Sequence, residues 1–235
     1  MGIILITLLM THLTIVSVTL YLHRGQSHRG VEFHPALAHA MRFWLWLTTG
    51  MTTKQWVAIH RKHHQNTDVE GDPHSPHVYG IWNLVFGGVK YYNRAGSDAA
   101  MVMKYGMGTP KDWIERKLYT PHHRLGILVM LVIDLLLFGP WGFLVWGVQM
   151  IWIPFWAAGF INGMGHWWGY RNGETKDHSR NISPWGIVVG GEELHNNHHL
   201  DPASPKFSRK PWEFDIGWFY IRTLSCLGLA KVRTS

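Results

Sequence analysis

Residues 2–28, "GIILITLLMTHLTIVSVTLYLHRGQSH", decide how the rest of the chain is read, because an apolar run ends directly in a pair of histidines. Residues 2–22 supply about 20 mostly apolar positions, enough at 1.5 Å per residue to cross a hydrocarbon core of roughly 30 Å. The run has neither the basic start nor the small-residue cleavage site of a secretory signal, so it reads as a membrane helix. His23 and His28 therefore emerge at a membrane edge.

Two further apolar runs, 125–138 "LGILVMLVIDLLLF" and 141–161 "WGFLVWGVQMIWIPFWAAGFI", are parted by Gly139 and Pro140 and predict a helical hairpin that crosses twice. Trp141, Trp146, Trp152 and Trp156 are its interfacial anchors or packing residues. Asp134 is costly facing lipid and should be paired or lie near headgroups. Residues 36–59, "ALAHAMRFWLWLTTGMTTKQWVAI", are interrupted by Arg42, Lys54 and Gln55. Parity decides their placement. If the histidines on both flanks serve one site, the segment cannot cross, and it lies in the interface or dips and returns. The hairpin also returns the chain to its starting side, just as His166 appears. Arg24, Arg29, Arg61, Lys62, Arg171, Arg180, Lys206, Arg209 and Lys210 all fall on that side, which the positive-inside rule makes cytoplasmic. The expected fold is all-α: a multi-pass membrane helical bundle with interfacial helices and a cytoplasmic histidine-rich cap for two metals, in one domain over residues 1–235. A bacterial inner membrane is the expected location.

Composition agrees. The 235 residues include 17 His, 14 Trp and 10 Met, with only 16% charged residues, so ordinary solvated surface is scarce. The single cysteine, Cys226, excludes internal disulfides and Cys-rich metal sites, leaving His, Asp, Glu or Asn for any metal. The net charge of +7 is not gathered into a basic helix or block, so it suits anionic lipid headgroups and not nucleic acid.

Four histidine clusters stand out: "HRGQSH" (His23, His28), "HRKHH" (His60, His63, His64), "NGMGH" (Asn162, His166) and "HNNHH" (His195, His198, His199). Chance predicts on the order of a tenth of one HxxHH match in such a composition, and there are two. On a helix, i, i+3 and i+4 share a face, so each HxxHH should aim its imidazoles at one point. The first pair is i and i+5, about 140° apart on an α-helix, so both can bind only if the helix ends or bends there. Nine imidazoles exceed what one zinc uses and divide over two metals. Imidazole suits iron, zinc, copper or nickel, so ligand type does not name the metal. Glu192, Glu193, Asp68 and Asp72 are expected to accept ring N–H groups and orient the ligands. His12, His34, His39, His122, His123 and His178 read as structural, while His74 and His77 sit on a turn near the second cluster.

The boxes HxxxxH, HxxHH and HxxHH, with "NGMGHWWGYRN" and "NISPWGIVVGGEELHNNHH", resemble the membrane fatty-acid desaturases, most closely the acyl-CoA branch and its bacterial relatives, over about residues 15–230. The resemblance implies two iron ions held by His23, His28, His60, His63, His64, His166, His195, His198 and His199, with Asn162 holding a water. It also implies dioxygen as co-substrate and a fatty-acyl substrate, carried on coenzyme A or phospholipid. The substrate gives two electrons, and a ferredoxin or b-type cytochrome with its reductase gives two more. The animal acyl-CoA enzymes carry Arg-Asp before the second box where this chain has Ala58 and Ile59, which puts coenzyme A recognition in doubt. The chain begins only 22 residues before His23, so one expected membrane helix is absent or belongs to a longer chain.

Unactivated methylenes have no acidity that a side chain can use near neutral pH, so a metal and dioxygen must do the work. The acyl chain needs a narrow apolar tunnel, for which Trp44, Trp46, Trp56, Trp152, Trp156, Trp167 and Trp168 are candidate walls, with membrane-interface or packing roles as the alternative for each. The rivals are an acyl or alkane hydroxylase on the same scaffold and, more distantly, a membrane metal transporter or zinc hydrolase. A transporter should place its ligands within the spans, whereas these flank them.

Overall fold

The computed structural model describes residues 2–233 and is mostly helical. Helix α1 (Gly2–Ser17) runs without a break into a π-helical segment, Val18–Ser27, making one apolar stretch of 26 residues. The helix ends at Ser27, with His28 as its C-cap, so the expected boundary falls within the first histidine pair, and the turns leading to it are π-helical. Hydrogen bonding from i to i+5 puts more residues into each turn, so residues five apart stack, and the His28 N–H donates to the His23 carbonyl. The two rings end up with centroids 4.9 Å apart.

After strand β1 (Val31–Phe33), the 36–59 region divides into α2 (Pro35–Thr49) and α3 (Thr53–Gln65). Gly50, at φ 63°, ends the first, and the Thr52 hydroxyl caps the second by accepting from the Gln55 N–H. Each helix is about 20 Å long, short of a hydrocarbon core. α2 packs on α1 and on α7 (Leu125–Phe138), while α3 runs against the π-helical end of α1 and carries the second box.

Helices α4 (Pro76–Tyr79), α5 (Ile81–Gly96) and α6 (Ala99–Tyr105) precede α7. The predicted hairpin is formed by α7, a turn at Gly139–Trp141, and α8 (Gly142–Ile153). α8 continues through a second π-helical segment, Pro154–Ile161, opened by a proline that has no N–H to give, and ends in α9 (Asn162–Met164). α5 lies across that segment at a close crossing. A Cβ on Gly88 would strike the Ala158 carbonyl, and one on Gly159 would strike that of Val85.

The chain is not purely α-helical. β1 pairs antiparallel with β4 (Ala230–Val232), and β2 (Trp185–Gly186) pairs parallel with β3 (Phe214–Asp215). These short ladders satisfy backbone groups of the segments between helices. α10 (His195–Leu200) and α11 (Ile216–Cys226) complete the fold.

The apolar helices have an inverted polarity. Leu5, Leu8, Leu9, Leu128, Val132, Leu136 and Leu144 are exposed, while Thr7, Thr11, Thr14 and Ser17 of α1 are buried. Asp134 is fully buried and accepts from the Gln149 amide at 2.8 Å, so it is paired within the hairpin, as expected. The Trp44 indole donates to Thr14, tying α2 to α1.

Candidate metal centre

The nine histidines gather into two groups whose ligand atoms lie within 4.8 Å of one another: His23, His28, His60, His64 and His198 in one, and His63, His166, His195 and His199 in the other. The HxxHH boxes do not converge on single points as expected. Residues i and i+4 stay together while i+3, about 100° from i+4, goes to the other group. The second box thus gives His60 and His64 to the first group and His63 to the second. The third box does the converse, with His195 and His199 in the second group and His198 in the first.

Donor spacing fits a metal. In the first group the Nε2 atoms run His23–His198 at 3.0 Å, His198–His64 at 3.0 Å, His64–His60 at 3.0 Å and His60–His28 at 2.7 Å. His166 and His195 meet at 2.9 Å in the second. Adjacent donors around one ion with bonds of about 2.1 Å lie about 3.0 Å apart when the bonds are perpendicular. A ring nitrogen carries at most one proton, yet Nε2 of His64 faces two others. The Nε2 atoms of His63 and His199 are buried without a partner among the described residues, an arrangement costing about 1–3 kcal/mol each unless something accepts their lone pairs. Burial also pushes His28, His60, His64, His195 and His198 well below the usual imidazole range, keeping them neutral as ligands must be.

Carboxylates hold the far sides of four rings. Glu192 meets His23 Nδ1 at 2.6 Å, Asp72 meets His63 at 3.0 Å, Asp68 meets His166 at 2.8 Å and Asp177 meets His199 at 2.9 Å. Burial would raise the Asp72 carboxyl, but the facing His63 outweighs it and lowers it to about 2. Glu193 does not share this role. Its carboxylate accepts the backbone N–H groups of Val189 and Gly191, bracing the glycine turn before the third box. Burial raises its pKa.

The two asparagines inside "HNNHH" anchor α10. Asn196 Oδ1 accepts from the Asn172 N–H, while Asn197 bonds Asn172, Asn181 and Glu213 at 2.8–3.0 Å. Arg24 is buried against Asp215 and Glu192, with its guanidinium 3.7 Å from the centre of the Phe207 ring, joining the first box to the C-terminal segment.

Two cavities meet at these histidines. One, of about 160 Å³, is lined by Met51, Trp56, Ile59, Val89, Tyr92, Ile153 and Ala157 and reaches His60, His74 and Asn162. The other, of about 40 Å³, is lined by Ile15, Val18, Ile161 and Val189 and reaches His23, His195 and Glu192. They share Trp56, His60, Ala157 and Asn162.

The chain matches the family model described as fatty acid desaturase over residues 1–213. It belongs to the fatty acid desaturase family. Its curated relatives include the sn-1 stearoyl-lipid 9-desaturase of Synechocystis sp., 32% identical over 92% of this chain and 66% of the relative. They also include the Delta-9 acyl-lipid desaturase 1 of Arabidopsis thaliana, at 32% over 92% of this chain and 70% of the relative. The sn-2 palmitoyl-lipid 9-desaturase of Nostoc sp. is likewise 32% identical, over 92% and 75%. The chain thus spans about two thirds to three quarters of the length of these relatives.

Within this family member the candidate tryptophans take different places. Trp56 lines both cavities and stacks on His60 at 5.1 Å. Trp44 and Trp46 are held by hydrogen bonds to Thr14 and His122, Trp152 and Trp156 pack on the hydrophobic core, and Trp167 and Trp168 are exposed. Indole bulk alone does not reveal which way a ring turns.

Two contributors escaped the sequence reading, and a third, His74, was placed only on a turn near the second cluster. Asp177 lies in an ordinary polar turn, where only its nearness to His178 and to the "NGMGH" segment could have drawn notice. α5 was not foreseen as a wall. His74 proves buried, stacked on His63 at 4.3 Å with Nδ1 unpartnered, and burial lowers it to about 3. The histidines read as structural belong to neither group. His178 is exposed, and its backbone N–H donates to Asp68.

Proposed function

We propose that this protein is a membrane-bound acyl-lipid desaturase that inserts a cis double bond into a saturated chain, using dioxygen and two external electrons at a di-iron centre. The observation that carries the reading is the union of five and four convergent imidazoles with adjoining apolar cavities that between them touch both groups.

One iron belongs with His23, His28, His60, His64 and His198, the other with His63, His166, His195 and His199. Iron with dioxygen supplies the oxidant that unactivated C–H bonds require. The protein's own contribution is geometry. Glu192, Asp72, Asp68 and Asp177 each take a ring N–H, which fixes the tautomer that turns Nε2 inward. Trp56, flat on His60 where the cavities join, restricts which methylenes pass the metals. Misplacement near 1 Å costs about a hundredfold in rate. Asn162, facing both cavities, orients a water at the site.

An acyl-lipid substrate is favoured over coenzyme A on two grounds. The relatives are named for lipid-bound acyl chains. Ala58 and Ile59 are buried against Met101, so no charged cradle for a nucleotide forms there. The exposed leucines of α1 and the hairpin suit lipid, and the basic residues beside the boxes favour a cytoplasmic site. Electrons come from a separate carrier such as a ferredoxin or a b-type cytochrome.

Expression in a desaturase-deficient host, followed by mass spectrometry of double-bond position in lipid and coenzyme A pools, tests the reading. A new monounsaturated acyl lipid is expected. A hydroxylated product, or purified protein carrying one zinc and no iron, would overturn it.

A further inference from the structure

Val89, Tyr92 and Asn93 stand at i, i+3 and i+4 on α5, so one face of that helix forms a wall of the larger cavity. Most of the surrounding wall is apolar: Met51, Trp56, Ile59, Ile153 and Ala157. Tyr92 differs. Its ring packs against the cluster of Ala58, Ile59 and Met101, and its hydroxyl is buried with no hydrogen-bond partner among the described residues. Burial raises its pKa, so the group remains a neutral O–H donor at any ordinary pH.

A buried hydroxyl without a partner costs about 1–3 kcal/mol, and the protein does not relieve that cost. A saturated acyl chain can do so only at one end, because its methylenes neither accept nor donate. The smaller cavity, beyond Trp56 and Asn162, is walled by Ile15, Val18, Ile161 and Val189 and suits the methyl end.

We propose that the Tyr92 hydroxyl receives the carbonyl of the acyl ester and so sets the direction and depth at which the chain threads past the metals. The carboxyl end lies along α5, and the chain runs past His60 and Asn162 toward α1. This rests on the desaturase reading and adds a specificity-determining residue to it. The ester carbonyl is the reference point from which the enzyme measures the carbon pair to be oxidised.

The test separates the two claims. Full-length metal-loaded protein in lipid nanodiscs is titrated with a 1-stearoyl glycerolipid and with its 1-octadecyl ether analogue, which lacks the carbonyl, and bound lipid is counted by native mass spectrometry. Wild type should prefer the ester about five- to tenfold, the worth of one hydrogen bond in a site built for it. Tyr92→Phe should bind both lipids as weakly as wild type binds the ether, with unchanged metal content. No ester preference in wild type, or a preference that persists in Tyr92→Phe, overturns the proposal. Neither measurement requires turnover. Failure of the desaturase reading would instead appear as absence of unsaturated product from wild type.

Discussion

The two histidine groups are built on opposite economies of charge. In the four-histidine group, three rings are backed by aspartates, His63 by Asp72, His166 by Asp68 and His199 by Asp177. Among the described residues, only His23 of the five-histidine group has such a partner, Glu192, and Nδ1 of His198 is buried with none. A cation in the four-histidine group would be neutralised by nearby carboxylates and its ligands made more basic; in the five-histidine group it would depend on the number of imidazoles. The lesson is that two sites made from the same boxes, a few ångströms apart, need not bind metal equally well. The four-histidine site should fill at lower iron concentration.

The largest expected effect comes from deleting a ligand. His198→Ala should abolish desaturation and leave membrane insertion intact, with metal content falling by the ion of the five-histidine group. Product analysis and metal counting on the purified variant check this, and near-normal product would refute the ligand role.

A smaller effect should follow from the carboxylates. Asp177→Asn and Asp72→Asn are expected to weaken the second metal about 10- to 100-fold, and Glu192→Gln the first, read by stepwise chelator competition. If Glu192→Gln released the metal of the four-histidine group, the contrast drawn above would be wrong.

Acid should act on both groups. Imidazoles depressed by burial, such as His199 at about 4, hold fewer protons folded than unfolded. Stability of the metal-free protein should therefore be flat above the unfolded value of 6.5 and decline as pH falls from there toward about 4. His63, raised by Asp72 against the effect of burial, opposes the trend but is outnumbered. Thermal unfolding at pH 7.5, 6 and 5 reads the slope, and a rise in stability on acidification would contradict it. At the small end, His178→Ala should change activity less than about twofold and stability within about 0.5 kcal/mol.

Much was legible in advance because membrane crossing and metal ligation leave local marks. Apolar length predicted α1 and the hairpin, spacing drew attention to the nine histidines, and the cost of a lone carboxylate in lipid predicted that Asp134 would find a partner. Tryptophan walls were not legible, since a side chain's composition says nothing of its rotamer. Nor was Asp177, whose contact with His199 spans 22 residues of chain.

The sequence by itself determined which residues could ligate a metal and which helices are apolar, because both follow from residue type and from spacing within a few turns. The division of the histidines into five and four, and the carboxylate behind each ring, were decided only by tertiary structure. So was the face of α5 that meets the cavity. Each depends on the angle at which one helix meets another. The first box shows the boundary most plainly: five residues of spacing would point His23 and His28 apart on an α-helix, and a π-helical turn, held by packing against α2 and α3, brings them together.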